Sequence, residues 1–134
     1  MIIPYLLYRG DCEEAIHFYI DTFGGEILYL SRYTAQTGGD ALTGKVMHVE
    51  AKVLGSVISA ADSAQPVENR DAIRLMIHCA TMAEADQILQ AIGRDGEVLQ
   101  RLLPHPPPDD GGVGGMVRDK YGYAWILTAP NERQ

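Results

Sequence analysis

A histidine and a glutamate two residues apart are the side chains in this sequence best suited to chemistry. His48 and Glu50 lie in residues 45–53, where polar and apolar residues alternate strictly, a pattern that predicts a β-strand. Alternation places both side chains on one strand face, about 7 Å apart along the backbone at ~3.4 Å per residue. One could act as a general base that the other orients, or both could contribute to a metal site.

The same pattern also has a structural interpretation without chemistry. Val46 and Lys52 are predicted to share the face of His48 and Glu50, and a polar alternate face is typical of the solvent side of an antiparallel strand. We therefore keep His48 and Glu50 as candidate catalytic residues, while the identity of any catalytic residue is unknown from the sequence.

Aromatic and basic residues elsewhere are candidates for ligand binding. Tyr5, Tyr8 and Trp125 could form apolar walls with polar tips for an organic ligand, or fill the core, and for Trp125 the core or a dimer contact is the stronger expectation. Arg74 and His78 share a face of another predicted strand, where they could meet an acidic ligand or form surface salt bridges. The candidate ligand-binding residues are Tyr5, Tyr8, His48, Glu50, Arg74 and Trp125.

Composition excludes several classes of partner. The 134 residues include eleven lysines and arginines against eighteen aspartates and glutamates, a net charge of −7, which argues against nucleic acid and anionic membrane surfaces. The N-terminal apolar run lacks a charged leader and ends at Arg9, so neither a secretion signal nor a membrane span is predicted, and a cytoplasmic location is expected. Cys12 and Cys79 lack metal-type spacing and are expected to be unpaired.

The elements that must position these residues follow the order strand, helix and three strands. The helix is predicted to begin after Asp11, paired with Glu14 as in a capping box, and to end at Gly24-Gly25. Residues 35–44 contain three glycines and no apolar period, which predicts a loop. The predicted strands of this half are 2–8, 26–33, 45–53 and 56–60.

The second half of the chain repeats the first. The pair Asp11 and Glu14 matches Thr81 and Glu84 at an offset of 70, and the four residues from Gly25 match those from Gly96 at an offset of 71. Here the predictions are a strand at 73–79, a helix from Thr81 to a cap at Gly93, a loop at 104–115 and a hairpin whose turn is 119–122. The predicted organisation is a single domain, 1–134, built from a first module 1–61, a linker 62–71 and a second module 72–134.

Several short sequence motifs resemble those of a known protein family. They are Pro4-Tyr5-Leu6, Glu13-Glu14-Ala15-Ile16-His17-Phe18-Tyr19, Phe23-Gly24-Gly25, Val46-Met47-His48-Val49-Glu50 and Gly115-Met116-Val117-Arg118-Asp119-Lys120-Tyr121-Gly122-Tyr123-Ala124-Trp125. Together with the tandem βαβββ order, the chain resembles the PhnB-like branch of the glyoxalase/bleomycin-resistance/dioxygenase (vicinal oxygen chelate) superfamily. The resemblance implies an α+β fold in which each module curls a mixed sheet into a concave half-barrel, with helices on the outer face. It also implies a pocket between the modules and a homodimer.

The resemblance implies a wide range of activities. The superfamily includes metal-dependent lyases and isomerases, extradiol dioxygenases, and metal-free proteins that sequester a drug. The positions of the family's metal ligands fall at about Pro4, Ser59, Ile73 and Ile126, which are poor ligands for a divalent transition metal. The expected function is therefore binding of a small organic molecule with no metal and no cofactor. The alternative is a metal-dependent lyase, isomerase or dioxygenase-type enzyme whose unusual ligand set includes His48 and Glu50.

Overall fold

The computed structural model describes residues 1–133, which form two compact units with a boundary between Glu68 and Asn69. Each unit combines one four-stranded mixed sheet with one or two helices, which confirms the predicted α+β fold of two βαβββ modules. The boundary lies inside the segment 62–71 predicted as a linker, and a single domain spanning both units stays a prediction. No helix within residues 1–133 has the length and apolar character needed to cross a membrane.

The first unit has its strands in the order β1-β4-β3-β2. Strand β1 runs parallel to β4, and the two remaining pairs are antiparallel. Helix α1 packs against this sheet because Ala15, Ile16, Tyr19 and Phe23 recur at helical spacing and are buried. The elements are β1 (Tyr5–Tyr8), α1 (Cys12–Phe23), β2 (Gly25–Arg32), α2 (Ala35–Leu42), β3 (Val46–Val53) and β4 (Ser56–Asp62).

The second unit repeats this arrangement in the order β5-β8-β7-β6, again with one parallel pair, β5 with β8. Helix α3 buries Ala85, Ile88, Leu89 and Ile92 against β6, β7 and β8. Its first turn is capped as predicted, because the Thr81 side chain accepts a hydrogen bond from the Glu84 amide at 3.1 Å. The elements are β5 (Leu75–His78), α3 (Met82–Gly93), β6 (Glu97–Pro104), β7 (Gly112–Arg118) and β8 (Ala124–Pro130).

The start of α1 differs from the prediction. Asp11 occupies the N-cap position, but its side chain makes no capping hydrogen bond to the helix. Asp62, from the end of β4, takes over this role. Its Oδ1 atom accepts hydrogen bonds from the amides of Gly10 at 2.7 Å and Cys12 at 3.0 Å, and its Oδ2 atom accepts one from Val46 at 3.0 Å. One buried carboxylate therefore ties helix α1, strand β3 and strand β4 together.

The predicted loop at 35–44 is wrong, because Ala35–Leu42 is helical. A reciprocal capping box between Thr34 and Thr37 starts the helix, and Gly39, at φ 64°, interrupts it inside. This short helix buries none of its residues. The sequence therefore shows no apolar period by which the helix could be recognised.

Glycines at equivalent positions explain why the four-residue motif that begins at Gly25 is repeated at Gly96. A Cβ atom on Gly25 would lie 1.9 Å from the carbonyl oxygen of Lys52, and one on Gly96 would lie 2.2 Å from that of Arg118. Both glycines stand at the entry to the outermost strand of their sheet, where the backbone approaches the neighbouring strand. The repeat at offset 71 therefore preserves a backbone contact in each unit.

Two predictions in the second half need correction. Gly93 is the last residue of α3 rather than a left-handed cap, and Arg94 caps the helix in right-handed conformation. A Cβ atom at Gly93 would lie 2.6 Å from a methyl group of Val98, so close packing is the reason for this glycine. The predicted loop 104–115 is shorter than expected, because β6 continues to Pro104 and β7 begins at Gly112.

Candidate functional site

A row of four side chains crosses the first sheet on the face opposite α1. Tyr5 pairs with Ser59, Ser59 with Glu50, and Glu50 with Tyr29, and residues paired in this way share a sheet face. The neighbouring row, which contains Leu6, Ala60 and Val49, is buried on the helix side. By contrast, Tyr5 is 50% exposed and Tyr29 is 53% exposed. We call the face of Tyr5, Ser59, Glu50 and Tyr29 the open face of the first unit.

His48 links two members of this row, Tyr5 and Glu50, by hydrogen bonds. Its Nδ1 atom lies 2.9 Å from the Tyr5 hydroxyl, and its Nε2 atom lies 3.2 Å from Oε1 of Glu50. The alternation in β3 predicted that His48 and Glu50 share a face, and their direct contact confirms it. Their side chains remain 31% and 44% exposed, so both can still meet a molecule arriving from solvent.

Two tyrosine rings flank the histidine ring. The Tyr5 ring stacks on His48 with a centroid distance of 5.5 Å and an angle of 24° between the planes. The Tyr29 ring approaches the same imidazole at 6.0 Å, tilted by 46°. His48 is thus held between two aromatic side chains on adjoining parts of the sheet.

The face on which Tyr29 lies could not be predicted from the sequence, because a β-bulge decides it. Ile27 pairs with Ala51 and Tyr29 pairs with Glu50, so Leu28 is an extra residue in β2. Without the bulge, alternation from Ile27 would turn Tyr29 towards α1. No local sequence signal marks this change of face.

A second bulge removes Val46 from the face predicted for it. Ser31 pairs with His48 and Arg32 pairs with Val46, so Met47 is the extra residue of β3. Val46 is buried and donates its amide hydrogen to Asp62, whereas His48 stays half-exposed. The predicted solvent-facing set of Val46, His48, Glu50 and Lys52 is therefore wrong at Val46.

The hydrogen bonds fix how His48 can be protonated in its neutral form. A carboxylate only accepts hydrogen bonds, so Nε2 carries the hydrogen that Glu50 accepts. Nδ1 is then an acceptor for the Tyr5 hydroxyl. Partial burial of its hydroxyl raises the pKa of Tyr5, and the electrostatic effects of the nearby Tyr33 and Cys12 raise it further. The hydroxyl therefore stays protonated. The group Tyr5, His48 and Glu50 can therefore position a proton at the Tyr5 oxygen.

Two other predicted ligand-binding residues lie in the cores of their units. Tyr8 is fully buried, with its hydroxyl 2.9 Å from that of Tyr19. Trp125 is 3% exposed, and its indole nitrogen donates to Asp119 at 2.9 Å. Both are engaged in packing, as expected for large aromatic residues. Ligand contact by Tyr8 or Trp125 stays a prediction that this burial does not favour.

The basic candidates lie in the second unit. Arg74 donates from Nη1 to the sulfur of Met116 at 3.1 Å, and among residues 1–133 it forms no salt bridge. His78 lies 2.8 Å from the Thr128 hydroxyl through its Nδ1 atom. Arg74 is exposed, its charge contributes to lowering the pKa of the nearby Asp71, and its ligand contact stays a prediction.

The segment around Trp125 has a structural role. Asp119 is 2% exposed and accepts hydrogen bonds through Oδ1 from the amides of Tyr121 at 2.9 Å and Tyr123 at 3.0 Å. Gly122 adopts the left-handed conformation that the turn requires, at φ 99°. The predicted turn at 119–122 is therefore confirmed, and its aspartate side chain holds the hairpin of β7 and β8 together.

The residues at the metal positions of the superfamily do not fit a metal. Pro4, Ile73 and Ile126 lack a donor atom in their side chains, and Ser59 offers only a hydroxyl. His48 and Glu50 supply two donors, but within residues 1–133 no group of three or more His, Cys, Asp or Glu side chains could hold an ion. Cavities of about 450 Å³ beside Phe23 and about 290 Å³ beside Lys45 do not include His48 or Glu50 in their linings.

Comparison with known proteins places the chain among close structural relatives. Residues 1–128 match a protein family described as 3-demethylubiquinone-9 3-methyltransferase. A PhnB protein from Bacillus cereus is 30% identical, with 96% of this chain and 98% of that chain covered and a TM-score of 0.80. The protein PA1353 from Pseudomonas aeruginosa is 26% identical, with 97% of each chain covered and a TM-score of 0.83.

More distant structures share the fold alone. A glyoxylase/bleomycin resistance protein/dioxygenase domain from Frankia sp. is 12% identical, with 100% of this chain and 93% of that chain covered and a TM-score of 0.68. No curated protein matches the sequence. The sequence similarity therefore extends over nearly the whole chain. Proteins of very different sequence share the same fold.

Proposed function

The chain belongs to the PhnB-like 3-demethylubiquinone-9 3-methyltransferase family, within the glyoxalase/bleomycin-resistance/dioxygenase superfamily, and we propose that it binds a small organic molecule without a resident metal. The binding surface in this proposal is the open face of the first unit. The observation that carries it is the hydrogen-bonded chain of Tyr5, His48 and Glu50, held between exposed aromatic rings.

Exposed apolar surface supports this choice of face. Tyr5, Leu7 and Tyr29 are each about half exposed, at 50%, 41% and 53%. A sheet face that presents several large apolar side chains around a few polar groups is typical of a ligand site. The helix-side face of the same sheet is closed by α1 and offers no such surface.

Methyl transfer, which the family's description names, is not part of the proposal. Phosphate-bearing and nucleoside-type cofactors are commonly held where a glycine-rich loop leads from a strand into a helix. In the described residues, the strand-to-helix connections are 9–11, 33–34 and 79–81, and they contain one glycine, Gly10. The described residues therefore do not form the usual cradle for such a donor.

The alternative of a metal-dependent lyase, isomerase or dioxygenase-type enzyme rests on His48 and Glu50. Their contact at 3.2 Å leaves both residues half-exposed, but the described residues supply no third ligand nearby. We therefore propose no catalytic step through a metal. Metal analysis of protein purified without an affinity tag is the direct test, with less than one-tenth of an equivalent of Zn, Ni, Mn or Fe expected per chain. A stoichiometric metal that disappears in His48→Ala would overturn the proposal of metal-free binding.

Ligand binding is tested by NMR with small aromatic compounds of neutral, anionic and cationic character. We expect at least one class to shift the signals of Tyr5, Tyr29 and His48, and His48→Ala to weaken that binding about tenfold. His17→Ala is the matched control, because His17 is an exposed histidine on helix α1, against the other face of the sheet. Shifts confined to residues elsewhere, or equal effects of the two variants, would overturn the proposal.

A further inference from the structure

The carboxylate of Glu50 lies on the open face without a lysine or arginine partner in the described chain. Its Oε1 atom contacts His48, and among residues 1–133 no lysine or arginine forms a salt bridge with it. The side chain is 44% exposed. A negative charge is therefore available at the centre of the surface on which the proposed ligand would lie.

Two basic residues lie near Glu50 in the same sheet, Lys52 on the same face of β3 and Arg32 on β2. Lys52 stands opposite Glu26 in the pairing of β2 and β3, which is a favourable cross-strand arrangement of opposite charges. Arg32 donates two hydrogen bonds to Glu13, at 2.8 and 2.7 Å. Among residues 1–133, neither Lys52 nor Arg32 forms a salt bridge with Glu50.

Tyrosine rings stand on either side of this carboxylate. Tyr29 is directly opposite Glu50 in the sheet, and Tyr5 lies two strands away on the other side, beyond Ser59. Adjacent strands are about 4.8 Å apart, so the two tyrosine backbones are separated by about 14 Å. The His48 ring lies between the two tyrosine rings, 5.5 Å from one centroid and 6.0 Å from the other, so a ligand would rest across these three side chains and beside Glu50.

The combination favours one class of ligand. The faces of aromatic rings carry negative electrostatic potential and attract organic cations, and a nearby carboxylate adds to that attraction. An anion would instead meet Glu50 and a protein of net charge −7. We propose that the open face of the first unit binds an organic cation, with its positive group against Glu50 and its apolar part against Tyr5 and Tyr29. This inference rests on the proposed function and specifies the ligand class of the same site.

Three probes of similar size separate charge from aromatic contact: benzyltrimethylammonium, benzyl alcohol and benzoate. Dissociation constants are measured by NMR titration from the signals of Tyr5, Tyr29 and His48. We expect benzyltrimethylammonium to bind about tenfold more tightly than either other probe. Glu50→Gln keeps the side-chain shape and should weaken binding of the cation about tenfold, so that the preference for the cation over benzyl alcohol is lost.

Glu14→Gln is the matched control for total charge. Glu14 is exposed on helix α1, so its replacement removes one negative charge without touching the open face, and binding of the cation should be unchanged. If benzyl alcohol or benzoate binds these residues as tightly as the cation does, the choice of an organic cation is wrong while the proposed binding function stands. If no probe shifts these signals at millimolar concentration, and neutral and anionic aromatics also fail, both proposals are wrong. Equal losses in Glu50→Gln and Glu14→Gln would overturn the role of Glu50.

Discussion

His48 is held by three neighbours that act through different forces. Tyr5 contacts it through both a hydrogen bond and ring stacking, Glu50 accepts a hydrogen bond, and Tyr29 approaches its ring. Such restraints fix the orientation of an imidazole that would otherwise rotate freely at a half-exposed position. A ligand on this face would therefore meet a pre-arranged surface, which lowers the entropic cost of binding.

The protonation pattern of His48 can be predicted from these contacts. Glu50 is an acceptor, so neutral His48 should carry its hydrogen on Nε2 and leave Nδ1 as the acceptor from Tyr5. Two-bond nitrogen–proton NMR spectra distinguish the two tautomers, and His17 provides an exposed reference in the same spectrum. In Tyr5→Phe we expect the Nδ1 signal to move towards that of His17. An Nδ1–H tautomer in the unmodified protein would contradict the assignment.

The thiols of Cys12 and Cys79 are predicted to be unreactive in the folded protein. Both are buried and unpaired, and burial raises the pKa of each thiol, with Asp62 contributing further at Cys12. A raised pKa keeps the thiol protonated near neutral pH, whereas the thiolate is the reactive form. A thiol reagent at pH 7.5 should label the native protein slowly and label both cysteines rapidly in denaturant. Fast labelling of either residue without unfolding would contradict this expectation.

Among the elements, helix α1 depends on a residue outside itself. Its first amides are bound by Asp62, which lies 50 residues further along the chain than Cys12. The same carboxylate binds the amide that begins β3, so the start of the helix, β3 and the end of β4 share one buried contact. Helix α3 differs, because its cap is the neighbouring residue Thr81, which accepts a hydrogen bond from the Glu84 amide.

Asp62→Asn is expected to destabilise the protein. An amide cannot accept hydrogen bonds on both sides, so either Val46 or the pair Gly10 and Cys12 would face an NH₂ group in a buried site. The free energy of unfolding should fall by about 1.5–3 kcal/mol, as measured by urea denaturation. Asp21→Asn, at an exposed position of α1, should change it by less than about 0.5 kcal/mol. Equal effects of the two substitutions would show that Asp62 does not hold the helix.

At the scale of the whole molecule, each unit satisfies its own core while leaving apolar side chains exposed. Ile73 and Met76 are 76% and 66% exposed in the second unit, and Tyr5 and Tyr29 are exposed in the first. Exposed apolar surface of this kind is typical of protein–protein contacts and ligand sites. Homodimer formation, which the family resemblance implies, is consistent with this surface and stays a prediction, as does a cytoplasmic location.

The oligomeric state can be measured directly by size-exclusion chromatography with light scattering. We expect a mass about twice that of the 14.7 kDa chain at micromolar concentration. Dilution should leave the mass unchanged if the contact is of ordinary dimer size. A mass of one chain over the whole concentration range would contradict the prediction.

Much of the fold could be predicted because its signals are local. The stripe of Ile16 and Tyr19, the cap at Thr81 and the turn at Gly122 each follow from the spacing or backbone preference of neighbouring residues. Helix α2 could not be predicted, because its stability comes from caps and not from a buried face. The contact between His48 and Glu50 followed from alternation along one strand.

The sequence alone determined the two βαβββ modules, the family and the pair His48 and Glu50. Periodicity, helix capping and repeated motifs are local signals that can be recognised within short segments of sequence. Only the tertiary structure decided that Tyr5 and Tyr29 contact His48 beside that pair. Strand pairing brings Tyr5 beside His48 across 43 residues, and a bulge at Leu28 turns Tyr29 to the same face. Such register choices depend on the sheet as a whole, because each strand must satisfy its backbone hydrogen bonds while keeping its apolar side chains against the helix.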